Sequence, residues 1–220
     1  MARLIRYALL LLLLALVTPG AEAAFANDPK EIRVLPAGIA APDAAVRRID
    51  GEKTRLSALL AGKPTLLVFY RGGWCPYCNL QLSELRKLKP MLAEHGFQLL
   101  AISPDAPAQL QKSLDEHQLD YTLASDSSSA LIQAFGIGFQ VDAGTRAKYK
   151  EYGIDLEAAS GGEKHHALPV PSVFVIDAAG TIQFAYSNPD YRTRVPERLV
   201  RAAIEAVAAG EAGKAGQPEM

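Results

Sequence analysis

From Thr65 to Tyr70 the chain reads Thr-Leu-Leu-Val-Phe-Tyr, almost entirely apolar and rich in β-branched and aromatic residues. Such a run predicts a strand buried on both faces, as in the centre of a parallel sheet. Leu82, Leu85, Leu88 and Leu92 follow at helical spacing, with Pro76 suited to the first turn and Gly96 to the end. Pro90 falls inside this pattern, so the helix is expected to kink or restart there. Phe97 to Ile102 predicts a second buried strand, Pro107 to His117 a helix, Tyr121 to Leu123 a short strand and Ser128 to Phe135 a short helix. Earlier, Asp50-Gly51 marks a turn between two short strands, and Ser57 is placed to cap a helical turn carrying Leu56, Leu59 and Leu60. Later, Asp142 to Tyr152 reads as helix and Ser160 to His166 as an exposed loop. Ser172 to Ile176 and Thr181 to Tyr186 read as strands around the turn Asp177-Ala178-Ala179-Gly180. Val195 to Ala209 is a final amphipathic helix with Pro196 in its first turn. Strands alternating with helices, closed by a hairpin and a helix, predict a three-layer α/β fold with a mixed central sheet.

The first residues follow a different pattern. Arg3 and Arg6 precede an unbroken apolar run from Ala8 to Val17, broken by Thr18-Pro19-Gly20 and followed by Ala21-Glu22-Ala23. This predicts a secretory signal peptide over residues 1–23, with an apolar run too short to span a bilayer. Residues 24–36 are then an extended lead-in, 37–209 one domain, and 210–220 a flexible polar tail. The mature product is expected to be exported, periplasmic or secreted, with no membrane attachment after cleavage. Its near-neutral charge, 23 basic against 24 acidic residues over the full chain, offers no electrostatic case for binding nucleic acid.

Composition adds one decisive fact. The chain has two cysteines, and both lie in Trp74-Cys75-Pro76-Tyr77-Cys78, between the predicted strand and the leucine-rich helix. A Cys-x-x-Cys pair opening a helix is a redox signature. The helix N-terminus favours thiolate, the first sulfur is expected at the tip and partly exposed, and the second lies one turn in, able to resolve a mixed disulfide. A purely structural disulfide explains the pair poorly, because a four-residue ring constrains the unfolded chain by only about 2 kcal/mol. Half of a zinc site would need a further Cys or His pair, and His165-His166 is the one candidate.

These residues carry a resemblance. Trp-Cys-Pro-Tyr-Cys resembles the active site of thioredoxin-like proteins, with Cys-Pro-Tyr-Cys in its glutaredoxin form. Val170-Pro171-Ser172 resembles their cis-proline segment, which implies a cis bond before Pro171 and a role for it in a substrate groove. The wider layout resembles the alkyl hydroperoxide reductase/thiol-specific antioxidant family, the peroxiredoxins and their relatives. The matching pieces are Ala41-Pro42-Asp43, Asp50-Gly51, Leu67-Val68-Phe69-Tyr70, Ala101-Ile102-Ser103 and Val175-Ile176-Asp177 with Gly180, covering roughly Gly38 to Tyr186. The resemblance implies a thioredoxin-like fold and thiol-dependent reduction of hydroperoxides without a bound cofactor or metal. A thioredoxin-like or glutathione-type reductant would supply the electrons.

The chain departs from the family pattern at three places. In the family's Pro-x-x-x-Thr-x-x-Cys motif, Arg71 stands at the proline and Cys75 at the threonine, with Cys78 at the peroxidatic cysteine. The family's distant arginine falls near Pro171. Arg71, Arg192 or Arg194 could replace its charge, and the last two read better as solvated side chains. Helix geometry and thioredoxin logic select Cys75 as the attacking sulfur for disulfide substrates; the family pattern selects Cys78 for peroxide, and the sequence leaves that choice open. The strand Thr65 to Tyr70 lacks the buried acid of thioredoxin, and Glu84 reads as an exposed helical residue.

Other candidates are weighed by position. Trp74, Pro76, Tyr77, Pro171 and Arg71 are expected to line a groove for substrate or partner beside catalytic Cys75 and Cys78. His95 and His117 sit near helix ends, where a cation is favourable. Phe135, Phe139 and Tyr149 read as core. The leading reading is a thiol antioxidant enzyme reducing hydroperoxides. A protein disulfide oxidoreductase is the runner-up, and a copper-binding module using both cysteines with His165 or His166 is a non-enzymatic alternative.

Overall fold

The computed structural model describes residues 25–210. The signal-peptide segment and all but the first residue of the tail lie outside the described residues. The chain enters through extended backbone with a 3-10 turn at Pro29–Glu31, pairing at Ala26 with Phe139. A seven-stranded mixed sheet forms the middle layer, in the order β2-β1-β5-β4-β3-β8-β9. Its strands are β1 (Ala45–Arg47), β2 (Lys53–Arg55), β3 (Thr65–Phe69), β4 (Gln98–Ser103), β5 (Thr122–Ser125), β8 (Ser172–Ile176) and β9 (Ile182–Ser187). Strands β3, β4 and β5 run parallel, while β8 pairs antiparallel with β3 and β9.

Residue alternation on the central strands divides the core between two faces. Leu66 and Val68 of β3, Leu99 and Ala101 of β4, and Val173 and Val175 of β8 point to one side. Leu67 and Phe69, Leu100 and Ile102, and Phe174 and Ile176 point to the other. The first side is covered by α2 (Pro76–Arg86), α3 (Lys89–Glu94), α4 (Pro107–His117) and α8 (Glu197–Ala208). The second is covered by α1 (Leu56–Leu60) and α5 (Ala130–Ala134). All five residues of β3 are buried, which is why it is written as an uninterrupted apolar run.

Most predicted elements stand, with shifted ends. Pro90 separates α2 from α3 and occupies the first turn of α3, where its missing N–H costs nothing. The turn at Asp50-Gly51 joins β1 to β2. Helix α6 (Ala143–Glu151) fills the expected span, capped by Asp142. Strand β5 lies slightly later than predicted, at Thr122–Ser125.

Two local expectations fail, and a short ladder and a single helical turn appear that no expectation named. Ser57 does not cap α1: it lies inside the helix, and its N–H donates to Asp43 Oδ1 at 3.0 Å from a separate segment. A short ladder between β6 (Gly138–Gln140) and β7 (Ala167–Pro169), and the single turn α7 (Leu156–Ala159), are too brief for periodicity to announce. The Ser160–His166 loop is exposed only from Gly161 to Lys164; Ser160 is buried and both histidines are half-buried.

Asp43 joins the β1 approach to α1, since its Oδ2 also accepts from Arg55 Nε at 2.6 Å. Asp43→Ala is expected to cost about 1 kcal/mol, the usual scale for a lost cap, read as a lower urea midpoint with an unchanged slope.

Candidate active site

Strand β3 ends at Phe69, and Tyr70 still pairs with β4 through Ile102 O at 3.0 Å. The loop Arg71 to Trp74 then turns the chain into α2. Cys75 is the N-cap of that helix, and its sulfur accepts from Cys78 N at 3.3 Å. The two cysteines lie at disulfide-bonding distance, with Cα atoms 5.2 Å apart. The expectation of a partly exposed first sulfur is corrected: Cys75 is 1% exposed and Cys78 0%. The loop and its aromatic neighbours cover the pair.

The loop is held from below by an acid at the end of β4. Asp105 Oδ2 accepts from Gly73 N at 2.7 Å, and Asn79 Nδ2 of α2 donates to Gly73 O at 2.8 Å. Asp105 is 1% exposed. Burial pushes its carboxyl up to about 7, against the pull of the Gly73 N–H and the Ser103 hydroxyl. Strand β3 carries no acid; this one lies two residues beyond the end of β4. Gly72, at φ +150°, allows the close approach: a Cβ there would meet Trp74 Nε1 at 2.3 Å and Asp105 Oδ1 at 2.8 Å.

Arg71 is buried and stacked among aromatic rings. Its guanidinium carbon lies 5.0 Å from the Trp74 ring centroid, 5.7 Å from Tyr149 and 4.4 Å from Tyr191. It also donates to the Tyr149 hydroxyl. Tyr149 was expected in the core; it instead reaches from α6 across the site and packs on Trp74. Phe135 does lie in the core, and Phe139 is half-buried beside the β6 ladder.

The two later arginines behave differently. Arg192 pairs with Asp190 at the surface, as expected. Arg194 does not: it is partly buried, and its Nη2 lies 3.6 Å from Cys78 Sγ. Burial and then the neighbouring charge of Arg71 push its pKa down, yet a guanidinium remains a cation at neutral pH. Neither Arg71 nor Arg194 has a carboxylate partner among the described residues. Arg194 therefore stands beside Cys78 without a fixed counter-ion, while Arg71 is held among the rings of Trp74, Tyr149 and Tyr191.

The remaining candidates are also placed. Tyr77 is 44% exposed on α2 and meets Tyr191 edge-on at 5.8 Å. Pro76 is exposed in the first turn of α2. Pro171 precedes β8, whose Ser172 pairs with Phe69, so it lies across from the start of the Arg71 loop. It lines a 260 Å³ cavity together with Arg71, Tyr149 and Tyr191. The bond before Pro171 is trans, against the expected cis, as is every peptide bond among the described residues; trans is the lower-energy form of an X-Pro bond. Glu84 is exposed and paired with Lys87. His165 accepts from Ala167 N at Nδ1 and reaches Ser127 O through Nε2, while His166 pairs with Glu157. Both are engaged in holding the segment before β7, and among the described residues no cluster of three metal-binding side chains forms.

Sequence reasoning did not single out Asp105 or Tyr191, and it assigned other roles to Tyr149 and Arg194. Arg194 alone had a signal, as a cation in search of the site.

The AhpC/TSA family matches residues 37–185. The chain belongs to this family. Peroxiredoxin Bcp of Escherichia coli K12 is 32% identical over 103 residues, 47% of this chain and 65% of that protein. A putative peroxiredoxin bcp of Haemophilus influenzae is 37% identical over 76 residues, 34% of this chain and 49% of that protein. The chain thus spans about half of the one and two thirds of the other. Thiol-disulfide oxidoreductase ResA of Geobacillus thermodenitrificans is 28% identical over 134 residues, 60% of this chain and 74% of that protein. Among solved structures, peroxidoxin BcpB of Mycobacterium tuberculosis superposes with TM-score 0.60 at 21% identity, over 79% of this chain and 98% of that one. The peroxiredoxin-like protein of Aquifex aeolicus gives 0.62 at 16% identity, over 84% and 98%. These matches establish the thioredoxin-like α/β fold of the AhpC/TSA family for this chain.

The buried acid sets a pH dependence of stability. The folded Asp105 binds its proton more tightly than the unfolded chain does, whose carboxyl titrates near 4. Its stabilising contribution is therefore complete below about pH 4 and is lost as the pH rises through about 7. Asp105→Asn is expected to remove roughly 2–4 kcal/mol of this decline. The part that remains belongs to Asp126, which burial also raises to about 7. Urea unfolding at a series of pH values between 4 and 8 reads the difference.

Proposed function

We propose that this AhpC/TSA-family protein reduces hydroperoxides through a Cys75/Cys78 dithiol–disulfide cycle, after export from the cytoplasm. The observation that carries the reading is the guanidinium of Arg194 at 3.6 Å from Cys78 Sγ, with the second sulfur at bonding distance. A cation in contact with a sulfur favours its thiolate, and the thiolate is the nucleophile. Cys78 attacks the peroxide in this scheme, as the family pattern selects. The thiolate displaces one oxygen of the O–O bond as an alkoxide or hydroxide, which takes up a proton, and Cys78 becomes a sulfenic acid. Cys75 then displaces the sulfenic oxygen as water and forms the disulfide. Two thiol equivalents from a thioredoxin-like or glutathione-type reductant restore the dithiol.

The position of Cys75 at the family's threonine is thereby turned to use. The residue that would orient the peroxide is replaced by the thiol that resolves the product. Arg71 and Arg194 supply the positive field that the family's distant arginine would give. Trp74, Tyr77 and Pro171 line the approach.

A second reading has its own support. Cys75 caps α2, and the likeness to ResA extends over more of this chain than the likeness to the two bacterial peroxiredoxins. With a protein disulfide as substrate, Cys75 attacks and Cys78 resolves.

Stoichiometric hydrogen peroxide separates the two. For a peroxidase, Cys75→Ser still consumes about one equivalent and traps Cys78 as sulfenic acid, while Cys78→Ser consumes none. Arg194→Gln is expected to slow the peroxide step about tenfold, from the loss of one charge-assisted contact to the thiolate. Rapid disulfide exchange with no peroxide consumption in the wild type favours the second reading.

Export rests on Arg3, Arg6 and the apolar run from Ala8 to Val17. Expression of the full chain followed by N-terminal mass analysis is expected to find a start at Ala24 in the exported fraction. A full-length product confined to the cytoplasm contradicts export.

A further inference from the structure

Both sulfurs are buried, Cys75 1% exposed and Cys78 0%, so a reductant reaches the disulfide only after something that covers it moves. The sulfurs themselves need no rearrangement, because they already lie at bonding distance at the start of α2. Part of the cover is the segment 188–194, which joins β9 to α8. From it Arg194 Nη2 reaches Cys78 Sγ at 3.6 Å. The Tyr191 ring of the same segment lies 4.4 Å from the Arg71 guanidinium and meets Tyr77 edge-on at 5.8 Å.

The hydrogen bonds of this segment are its own. Asp190 N donates to Asn188 Oδ1 at 2.9 Å, Arg192 N to Asp190 Oδ1 at 3.1 Å, and Thr193 N to Asp190 O at 2.9 Å. The Arg192 side chain pairs with Asp190, and Arg194 Nη1 donates to Tyr191 O and Thr193 O. Residues 189–193 are all exposed, and among the described residues no backbone hydrogen bond ties 189–194 to another element. The nearest such tie is at the start of the segment, from Asn188 N to Pro171 O at 3.3 Å. The loop 71–75, which also covers the sulfurs, is held differently: Gly73 is bonded both to Asp105 and to Asn79. A segment whose hydrogen bonds are internal can lift with them intact, and such segments belong to the low-stability end of a fold. Lifting also returns Arg194 Nε, buried without a partner, to water.

We propose that the segment 188–194 is a redox-responsive lid over the dithiol, latched by Arg194 on Cys78 and by Tyr191 on Arg71, closed on the thiolate and loosened by the disulfide. The inference rests on the dithiol cycle proposed above. In the reduced protein the Cys78 thiolate and Arg194 form an ion pair. When Cys78 and Cys75 join, that negative charge is gone, and the latch is a cation against a neutral sulfur. An interaction weakened in the closed state alone shifts the lid towards open. Opening then uncovers Cys78 Sγ at the stage when electrons are due. A reductant thiolate bonds to Cys78 Sγ, the Cys75–Cys78 bond breaks, and Cys75 leaves as a thiolate that takes up a proton. The reductant's second thiol gives up its proton, bonds to the first sulfur of the reductant, and releases Cys78 as a thiolate. The restored charge on Cys78 engages Arg194 and closes the lid.

Amide hydrogen exchange followed by mass spectrometry, at constant pH, compares the dithiol form kept in dithiothreitol with the disulfide form made with diamide. Amides of residues 190–194 are expected to exchange about tenfold faster in the disulfide form. A Cys75–Cys78 bond acting only as a cross-link would do the opposite and protect its surroundings. Arg194→Gln is expected to bring the two forms within about twofold of each other. Tyr191→Ala is expected to speed exchange in both forms and to raise the rate of disulfide reduction by dithiothreitol about fivefold, the scale of one lost cation–π contact. Folding of both variants is checked by circular dichroism. Equal exchange in the two wild-type forms, faster exchange in the dithiol form, or opening confined to residues 71–78 overturns the proposal. So does a redox difference that survives Arg194→Gln, or a reduction rate unchanged by Tyr191→Ala. If a variant does not fold, the wild-type comparison still decides. No arm uses peroxide. A protein that consumes no peroxide yet shows the redox-dependent exchange refutes the peroxidase reading alone, and one that consumes peroxide with equal exchange in both forms refutes the lid alone.

Discussion

The hydrogen bond from Gly73 N–H to the Asp105 carboxyl ties the loop after β3 to the end of β4. The sulfurs are placed by what that bond holds. With Gly73 pinned, its carbonyl is available to Asn79 of α2, and Cys75 falls at the cap of the same helix. The cost is a carboxyl taken out of water and left with one oxygen unpartnered. Such a group destabilises the fold at neutral pH, and functional sites are where proteins commonly carry that kind of cost. The two arginines extend the pattern. Both are partly or wholly buried, both lack a carboxylate partner among the described residues, and Arg194 reaches Cys78 Sγ.

The site is assembled around a sulfur pair that solvent does not reach. Trp74 and Tyr149 form one wall, and Arg71 is sandwiched with Tyr191 as well. Aromatic rings over a guanidinium exclude water and leave its charge weakly screened. The same covering means that a partner thiol must displace part of the wall. Tyr77, 44% exposed, and Tyr191, 42% exposed, are the rings at the surface.

Legibility in the sequence followed the length over which a pattern could repeat. Strand β3 and helix α2 were readable because each spans enough residues for its period to show. The break at Pro90 was readable because its chemistry is local. The β6–β7 ladder was not, since three residues cannot establish alternation. The role of Ser57 was misassigned because the cap came from Asp43, fourteen residues upstream. The same rule governs the site. The dithiol could be found from spacing alone, but Asp105 has the same composition signature as any turn aspartate. Arg194 reaches Cys78 across 116 residues of chain.

By itself the sequence determined the dithiol, its place between a buried strand and a helix, the layered α/β fold and the AhpC/TSA resemblance. Each depends on neighbours along the chain: a Cys-x-x-Cys spacing, an apolar run, a leucine period. Only the tertiary structure decided that both sulfurs are buried, that Pro171 is trans, that Tyr149 belongs to the site, and which charges face which sulfur. Desolvation and long-range Coulomb contact arise from surfaces brought together by the sheet. They leave no periodic trace in the residues that end up feeling them.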